Sequence, residues 1–537
     1  ESHFCPAVVT PKNLVLELPA ALDPNDEDFV STLGHVLHDL KSSVLSPYVT
    51  VEAVGMLFGL DLFGKTLAPL GYSRWRSRID AEKPVTRLLV DKLTREQADS
   101  IIRTLQRAMI VKALHAELHI ERERVDDDMI RELRETALRH REGPTRLRTA
   151  FGVGDKQEAE FIDKLRDDYR VDADYANYQL VRLGRIGYSL DEQVNYVHTA
   201  LTMIGLTGAF SRFVLIVGHA QQTENNPYES ALECGACGGG SGLVNARVLA
   251  QMANKAAVRE RLAAMGIHIP EDTWFLPALH NTTTDHIDLL DLDLLPPRHL
   301  VYLERLRNGL RAASRLAAAE RMPKLLPHAR ELDPAQAHRM AQRLSVDWAQ
   351  TRPEWGLAKN VYGIIGRRSL TQAADLQGRP FLQSYDWRCD PKGRLLENIL
   401  AAPVVVGEWI NLEHFFSTVD NAHMGSGSKA YHNVAGRFGV MTGNLSDLRT
   451  GLAMQTVMRE GRPYHEPMRL IALIEAPLDF AGRALQSVGK VKNLVLGGWI
   501  RAIVIDPTQG YKPFVYNNGQ WEERAPLVPQ TQEDLVA

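Results

Sequence analysis

Cysteine is scarce in this chain: Cys5, Cys234, Cys237 and Cys389 are the only four in 537 residues. That is too few for a disulfide framework and predicts a reducing, cytosolic setting. Long apolar runs are missing as well. No stretch approaches the ~18 apolar residues of a membrane span, because the most hydrophobic segments, Ala402–Val406 and Leu494–Ile505, are broken by Glu408 or by Gly497, Gly498 and Arg501. The expectation is a chain with no transmembrane helix of its own. Neither a basic n-region nor an apolar h-region follows Glu1, so no secretory signal is expected. An excess of one charge is absent too. A net charge of −4 argues against broad electrostatic attraction to nucleic acid. No internal repeat or low-complexity tract is present. What remains is ordinary globular usage, 45% hydrophobic and 24% charged, in a chain long enough for about three or four domains.

One segment concentrates unusual residue types. Phe213 to Val217 is a short apolar run rich in β-branched residues and closed by Gly218, which predicts a buried strand. His219 then stands just past its carboxyl end, where open α/β sheets place ligands. Cys234 and Cys237 follow, running into Gly238 to Gly242. Imidazole and thiolate are side chains zinc prefers, and glycine lets backbone fold closely around an ion. His219 and Cys234 therefore read as half of a zinc site. Other readings of these residues stay open. Cys234 and Cys237 also fit a redox pair, or half of a structural zinc ribbon whose second pair is lacking. The glycines resemble a phosphate cradle, although this loop has neither Gly-Lys-Ser/Thr nor GxGxxG spacing.

Along the rest of the chain, Ala7–Thr10 and Leu14–Leu18 are short apolar runs beside the amphipathic Leu33–Leu40. Thr94 and Gln97 have capping-box spacing ahead of Ala98, Ile101, Ile102, Leu105 and Met109, which recur at helical intervals. A second helix is expected from about Asp126 to His140, with acids in its first turn. Val244, Val248, Met252 and Leu262 predict a helix closed by Gly266, and Trp274 to Leu276 a strand. The Pro296-Pro297 pair and the segment from Met322 to Pro334 flank a helical region. Val404–Val406, Leu470–Ile474 and Ala502–Ile505 read as strands, and Asn518-Gly519 as a hairpin turn. The expected order is an α/β edge of the core over 1–84, a helical insertion over 85–205, a core carrying the zinc half-site over 206–300, a helical connector over 301–350 and a C-terminal α/β domain over 351–537.

A second polar constellation lies between Glu408 and Gln455. It includes Trp409, Asn411, His414, Asp420, His423, Lys429, His432 and Asn433. Imidazoles at this density suit proton transfer, and His414, Asp420, Lys429 and His432 are the catalytic candidates. A polar loop held by side-chain hydrogen bonds is the plain alternative.

Several motifs together resemble the inorganic carbon transporter subunit DabA family. They are Gly218-His219, Asn225-Asn226-Pro227-Tyr228-Glu229-Ser230-Ala231 and Cys234-Gly235-Ala236-Cys237-Gly238-Gly239, then Tyr385-Asp386-Trp387 and Trp409-Ile410-Asn411. Ser426-Gly427-Ser428-Lys429, His432-Asn433-Val434 and Asp447-Leu448-Arg449-Thr450-Gly451-Leu452 complete the set in family order.

The resemblance implies a Zn2+ protein with a core similar to that of β-type carbonic anhydrases. It also implies a membrane partner, DabB, that resembles a cation-translocating subunit, and a peripheral position on the cytoplasmic face of the inner membrane. His219 and Cys234 match one pair of the family's zinc ligands. The other pair belongs to a Cys-x-Asp-x-Arg motif that this chain lacks, since Cys5 precedes Pro6 and Cys389-Asp390 has neither the spacing nor the arginine. The simplest expectation is a C-terminal portion of a longer protein; a homologue that has lost its metal is the alternative. With the site completed, zinc lowers the pKa of bound water to about 7 and allows CO2 hydration to bicarbonate, coupled to cation flow through the partner. A non-catalytic, zinc-stabilised scaffold in a membrane complex is the competing reading.

Overall fold

The computed structural model describes residues 16–19, 59, 63–81, 86–222, 233–234, 240–347, 357–426, 432–433, 440–441 and 448–525. The runs Ala7–Thr10 and Leu33–Leu40 lie outside them. Two compact units are present, one containing Arg87–Glu192 and the other Gln193–Ala537.

Local capping and packing build the first unit. Helix α1 (Arg95–Leu118) starts with the capping box expected from its sequence: Thr94 Oγ1 accepts from Gln97 N at 3.2 Å and Gln97 Oε1 accepts from Thr94 N at 3.0 Å. Its buried line is Ala98, Ile102, Ile110, Ala113 and Leu114, whereas Leu105 and Met109 are exposed. The sequence reading put those two on the core face; the four-residue steps from Ala98 through Ile102 to Ile110 define the stripe instead. Asp126 caps helix α2 (Asp127–Ala137), accepting from Met129 N at 2.6 Å. This helix ends at Ala137, three residues before the expected His140, with Leu138 as its cap, and Arg139 turns left-handed at φ 61°. Helix α3 (Asp155–Asp167) adds Phe161, Ile162 and Leu165 to a core with Ile110, Leu114 and Leu133. Each such buried side chain contributes about 1.5–3 kcal/mol.

The second unit contains two sheets. In the first, strand β1 (Phe213–Ala220) is followed by helices α4 (Leu243–Asn254) and α5 (Ala256–Ala264), then strand β2 (Trp274–Asn281). β2 runs parallel to β1 in the register Phe213↔Trp274 to Ala220↔Asn281, and β3 (His286–Leu289) pairs antiparallel on its other side. β2 is the buried strand, with Phe275, Leu276 and Ala278 fully enclosed. β1 is only half-buried and Val217 is 46% exposed. An apolar run alone does not separate a central strand from an edge strand, so the expected burial of β1 is corrected here.

A single helix was expected after the glycine loop, and the structure has two. Lys255 takes an extended conformation, φ −73° and ψ 131°, between α4 and α5. Asn254 holds the break: its Nδ2 donates to Phe275 O at 2.7 Å and its Oδ1 accepts from Phe275 N at 3.0 Å. Helix α6 (Pro297–Leu325) has Pro297 at its first position, where no amide hydrogen is needed. It packs on α7 (Pro334–Val346) through Ala318, Met322, Ala337 and Ala341.

The second sheet holds β4 (Tyr362–Gly366), β5 (Pro380–Ser384), β6 (Ile471–Glu475), β7 (Arg501–Asp506), β8 (Lys512–Asn517) and β9 (Gln520–Glu523) in the order β9-β8-β7-β6-β4-β5. The four from β5 to β7 are parallel and the last two antiparallel. Asn518 and Gly519, both at positive φ, turn the expected hairpin.

Between β5 and β6 runs the long helix α8, Arg394–Val419. The strand expected at Val404–Val406 is therefore a correction: these valines are helical. A π turn spans Leu400–Val404 around Pro403; proline lacks the amide hydrogen of an α turn and forces the ladder to shift. Among the described residues α8 is the one helix long and apolar enough to cross a membrane by length and composition, and 39% of its apolar window is buried. Counting unbroken apolar residues passes over this helix, because polar residues such as Glu408, Asn411 and His414 interrupt the run.

Candidate functional site

β1 continues three residues further than the expected Val217, so His219 is its penultimate residue. Gly218 is required there: a β-carbon on it would lie 2.3 Å from the carbonyl oxygen of Gly242. Gly242 N donates to His219 O at 2.8 Å, and Cys234 N donates to Gly240 O at 3.0 Å. The backbone at 240–242 thus returns to the strand end that carries His219, and the backbone of the buried Cys234 is bridged to it at Gly240. Cys234 is not in a disulfide. Cys237 lies outside the described residues.

By chemistry an imidazole and a sulfur are two of the ligand types of a tetrahedral zinc site. Among the described residues no group of three or more His, Cys, Asp or Glu is gathered to hold a metal.

His280 is the cross-strand partner of His219, and residues paired across neighbouring strands project from the same face of the sheet. Its Nε2 lies 3.1 Å from Asp285 Oδ1, and Arg321 Nη2 lies 2.9 Å from Asp285 Oδ2. Arg321 also donates to Thr283 O at 2.7 Å and to Thr282 O, which fixes the guanidinium. The carboxylate accepts the Nε2 proton, leaving Nδ1 of His280 as the acceptor nitrogen. No motif in the sequence marks out His280 or Asp285. Only the pairing of β1 with β2 reveals His280 and Asp285 as neighbours of the candidate zinc site.

The second constellation divides. His414 is buried on α8, where its Nδ1 donates to Ile410 O at 2.8 Å. Burial pushes this imidazole down to about 4. Asp420 is instead a helix cap, accepting from His423 N at 3.2 Å and from His423 Nδ1 at 2.9 Å. Those bonds hold its carboxyl below the usual range. Lys429 lies outside the described residues. His432 is described by its backbone, in a two-residue strand paired with Val440 and Met441. A residue the sequence did not single out, His465, meets His414 with ring centroids 5.2 Å apart.

At the carboxyl ends of the second sheet the connections turn opposite ways between β4 and β6, a position where α/β sheets bind ligands. Here Arg367 N donates to Glu475 Oε2 at 2.8 Å, Arg367 Nε donates to Oε1 at 2.9 Å and Nη2 meets Tyr511 OH at 2.8 Å. Glu475 is fully buried and the pair is saturated, so this end of the sheet is closed by an ion pair. One pattern passed over in the sequence is Gly59-x-x-x-x-Gly64-Lys65-Thr66, the spacing of a phosphate loop. Gly64 sits in a helical turn against the ring of Tyr72.

Residues 1–500 match the family described as "Probable inorganic carbon transporter subunit DabA". The chain is 88% identical over 537 residues to the probable inorganic carbon transporter subunit DabA 2 of Nitrobacter hamburgensis, covering 100% of this chain and 52% of that protein. It is 59% identical over 522 residues to the subunit DabA1 of Halothiobacillus neapolitanus, covering 97% of this chain and 50% of that protein. With the Aquifex aeolicus subunit the figures are 43% over 524 residues, 97% and 51%. The chain spans about half the length of these curated relatives. No solved structure matches it.

Proposed function

Because the chain belongs to the inorganic carbon transporter subunit DabA family, we propose that it is the part of a zinc-dependent CO2/bicarbonate uptake subunit that carries His219 and Cys234. On this reading it works with a DabB-like membrane subunit at the cytoplasmic face of the inner membrane. The three-stranded sheet is its β-carbonic-anhydrase-like core, and the remaining zinc ligands come from outside this chain. The observation that carries the reading is the return of the backbone at 240–242 to the end of β1, through Gly242 N to His219 O and Cys234 N to Gly240 O.

Zinc, when bound, supplies Lewis acidity strong enough to ionise water near neutral pH. The chain's own residues do the rest. His219 and Cys234 hold the ion, and Gly218 lets the loop approach the strand. Asp285 orients His280 so that its Nδ1 is left as the hydrogen-bond acceptor, and Arg321 holds Asp285 in place.

The test uses the full-length protein assembled with its membrane partner. Zinc content and CO2-dependent proton release are measured for the wild type, His219→Ala, Cys234→Ala and Cys237→Ser. Loss of zinc and of proton release in the first two variants, with both kept in Cys237→Ser, supports the proposal. Zinc retained in both His219→Ala and Cys234→Ala rejects the ligand pair. Zinc bound by a wild type that releases no protons from CO2 favours the scaffold.

A further inference from the structure

β1 has the composition of a central strand and the position of an edge strand. From Phe213 to Val217 every residue is apolar, so both faces are apolar, the pattern of a parallel strand covered on both sides. Yet among the described residues β1 has a strand on one side only, in the order β1-β2-β3. Arg212 O accepts from Trp274 N at 2.8 Å and Ala220 O from Thr282 N at 2.9 Å, so the backbone groups of the even-numbered residues face β2. N–H and C=O reverse direction at each residue of an extended strand, and those of Phe213, Leu215 and Val217 therefore face the open side. His219 O shows the same direction, since it accepts from Gly242 N there, outside the ladder to β2.

An open edge of this kind invites pairing with another strand, and proteins blunt it with charge, proline, a bulge or short length. The remaining edges of the two sheets follow that rule. β3 is four residues long and carries Asp288, β9 carries Glu522 and Glu523, and β5 begins at Pro380. β1 has none of these devices. It runs eight residues in unbroken register with β2, without Asp, Glu, Lys, Arg or Pro, and with Val217 exposed.

We propose that a strand from the part of the full-length protein outside this chain adds to this edge, parallel to β1, and makes β1 a central strand. This chain covers about half of each of its curated relatives, so in those proteins a comparable length of polypeptide is tethered to the matching region. A tethered segment meets the edge at a far higher effective concentration than a separate molecule does. Parallel pairing suits the apolar run, because parallel sheets are covered on both faces. The added strand is apolar and pairs along Phe213 to Val217, because Gly242 closes the edge at His219. Its carboxyl end then lies beside His219. That it brings the remaining zinc ligands there rests on the function proposed above; that it pairs with Phe213, Leu215 and Val217 does not.

Hydrogen–deuterium exchange of the full-length protein, resolved to single amides, tests the pairing. The amides of Val214 and Ile216 face β2 and serve as the internal standard. Those of Phe213, Leu215 and Val217 should exchange as slowly, ~10³-fold or more below the rate of an unfolded chain. Slow exchange at Val214 and Ile216 with fast exchange at the other three overturns the proposal. The occupant is identified with benzoylphenylalanine in place of Val217, by light-induced cross-linking and peptide mass spectrometry. An adduct with a segment of the same protein outside this chain supports the assignment. An adduct with a second copy, with the membrane partner or within this chain alone overturns it. If that variant does not fold, exchange in the unaltered protein still decides whether the edge is paired. Slow exchange at all five amides in a full-length protein that binds no zinc refutes the ligand pair and leaves the added strand standing.

Discussion

Gly218 and Gly242 meet backbone to backbone, so close that a β-carbon on Gly218 would stand 2.3 Å from the Gly242 carbonyl oxygen. The obstacle is main chain, which cannot rotate aside. Gly218→Ala should therefore push the loop off the end of β1, costing about 1–3 kcal/mol. Chemical denaturation measures the loss, and the full-length variant should also bind zinc more weakly. A variant with wild-type stability and zinc would mean that the close approach is dispensable.

Asp285 is the shared acceptor of His280 and Arg321. Removing it in Asp285→Ala leaves both donors without their carboxylate and should cost about 2–3 kcal/mol. The nitrogen-15 signals of His280 should move from one tautomer to a mixture, because nothing then selects the Nε2 proton. If the ring keeps a single tautomer in the variant, Asp285 is not what orients it.

Arg367 and Glu475 make a test of a different kind. Arg367→Ala strands a fully buried carboxylate and should destabilise by about 3–5 kcal/mol. The double variant Arg367→Met with Glu475→Leu removes the stranded charge and should recover most of that. Equal losses in single and double variants would show that the pair contributes by shape and not by charge.

The pH dependence of stability has two opposed limbs. In the unfolded chain imidazole titrates near ~6.5 and the glutamate carboxyl near ~4.3. Folded His414 and His465 stay neutral down to about 4 and about 3. The unfolded chain thus binds protons that the folded protein refuses, and stability falls as the pH drops below about 6.5. Glu408 acts in reverse. Folded, it keeps its proton up to about 8, so its contribution is greatest in acid and is lost as the pH rises from about 4.3 to about 8. Glu413, lifted to about 7 by burial, acts in the same direction. Denaturant midpoints measured from about pH 5 to about pH 9 should show a flatter acid limb in His465→Asn and a flatter alkaline limb in Glu408→Gln. Unaltered limbs in both would place the titrating groups elsewhere.

What was legible in the sequence was local. The Thr94–Gln97 box, the helix start at Asp126 and the Asn518-Gly519 turn are each decided within four residues, and all three formed where they were read. Val404–Val406 failed because three valines in a row have no period, and the neighbouring Pro403 is accommodated by a π turn. In the candidate site, His219 and Cys234 were visible by residue type and by glycine spacing. His280, Asp285 and His465 were not. Their place follows from strand register and from contacts across long stretches of chain, which no local pattern records. Asp420, a candidate for its carboxylate, caps a short helix, a use of aspartate that residue type alone does not distinguish.

The π turn around Pro403 is the mark of one surplus residue in a helix. In an unbroken α ladder each added residue swings everything after it by about 100° about the axis. The wide turn stores the surplus locally, so Glu408 stays buried while its neighbour Trp409 is 60% exposed. One bulge of backbone thereby keeps the second half of the helix in phase with the first, and its acid in the dark.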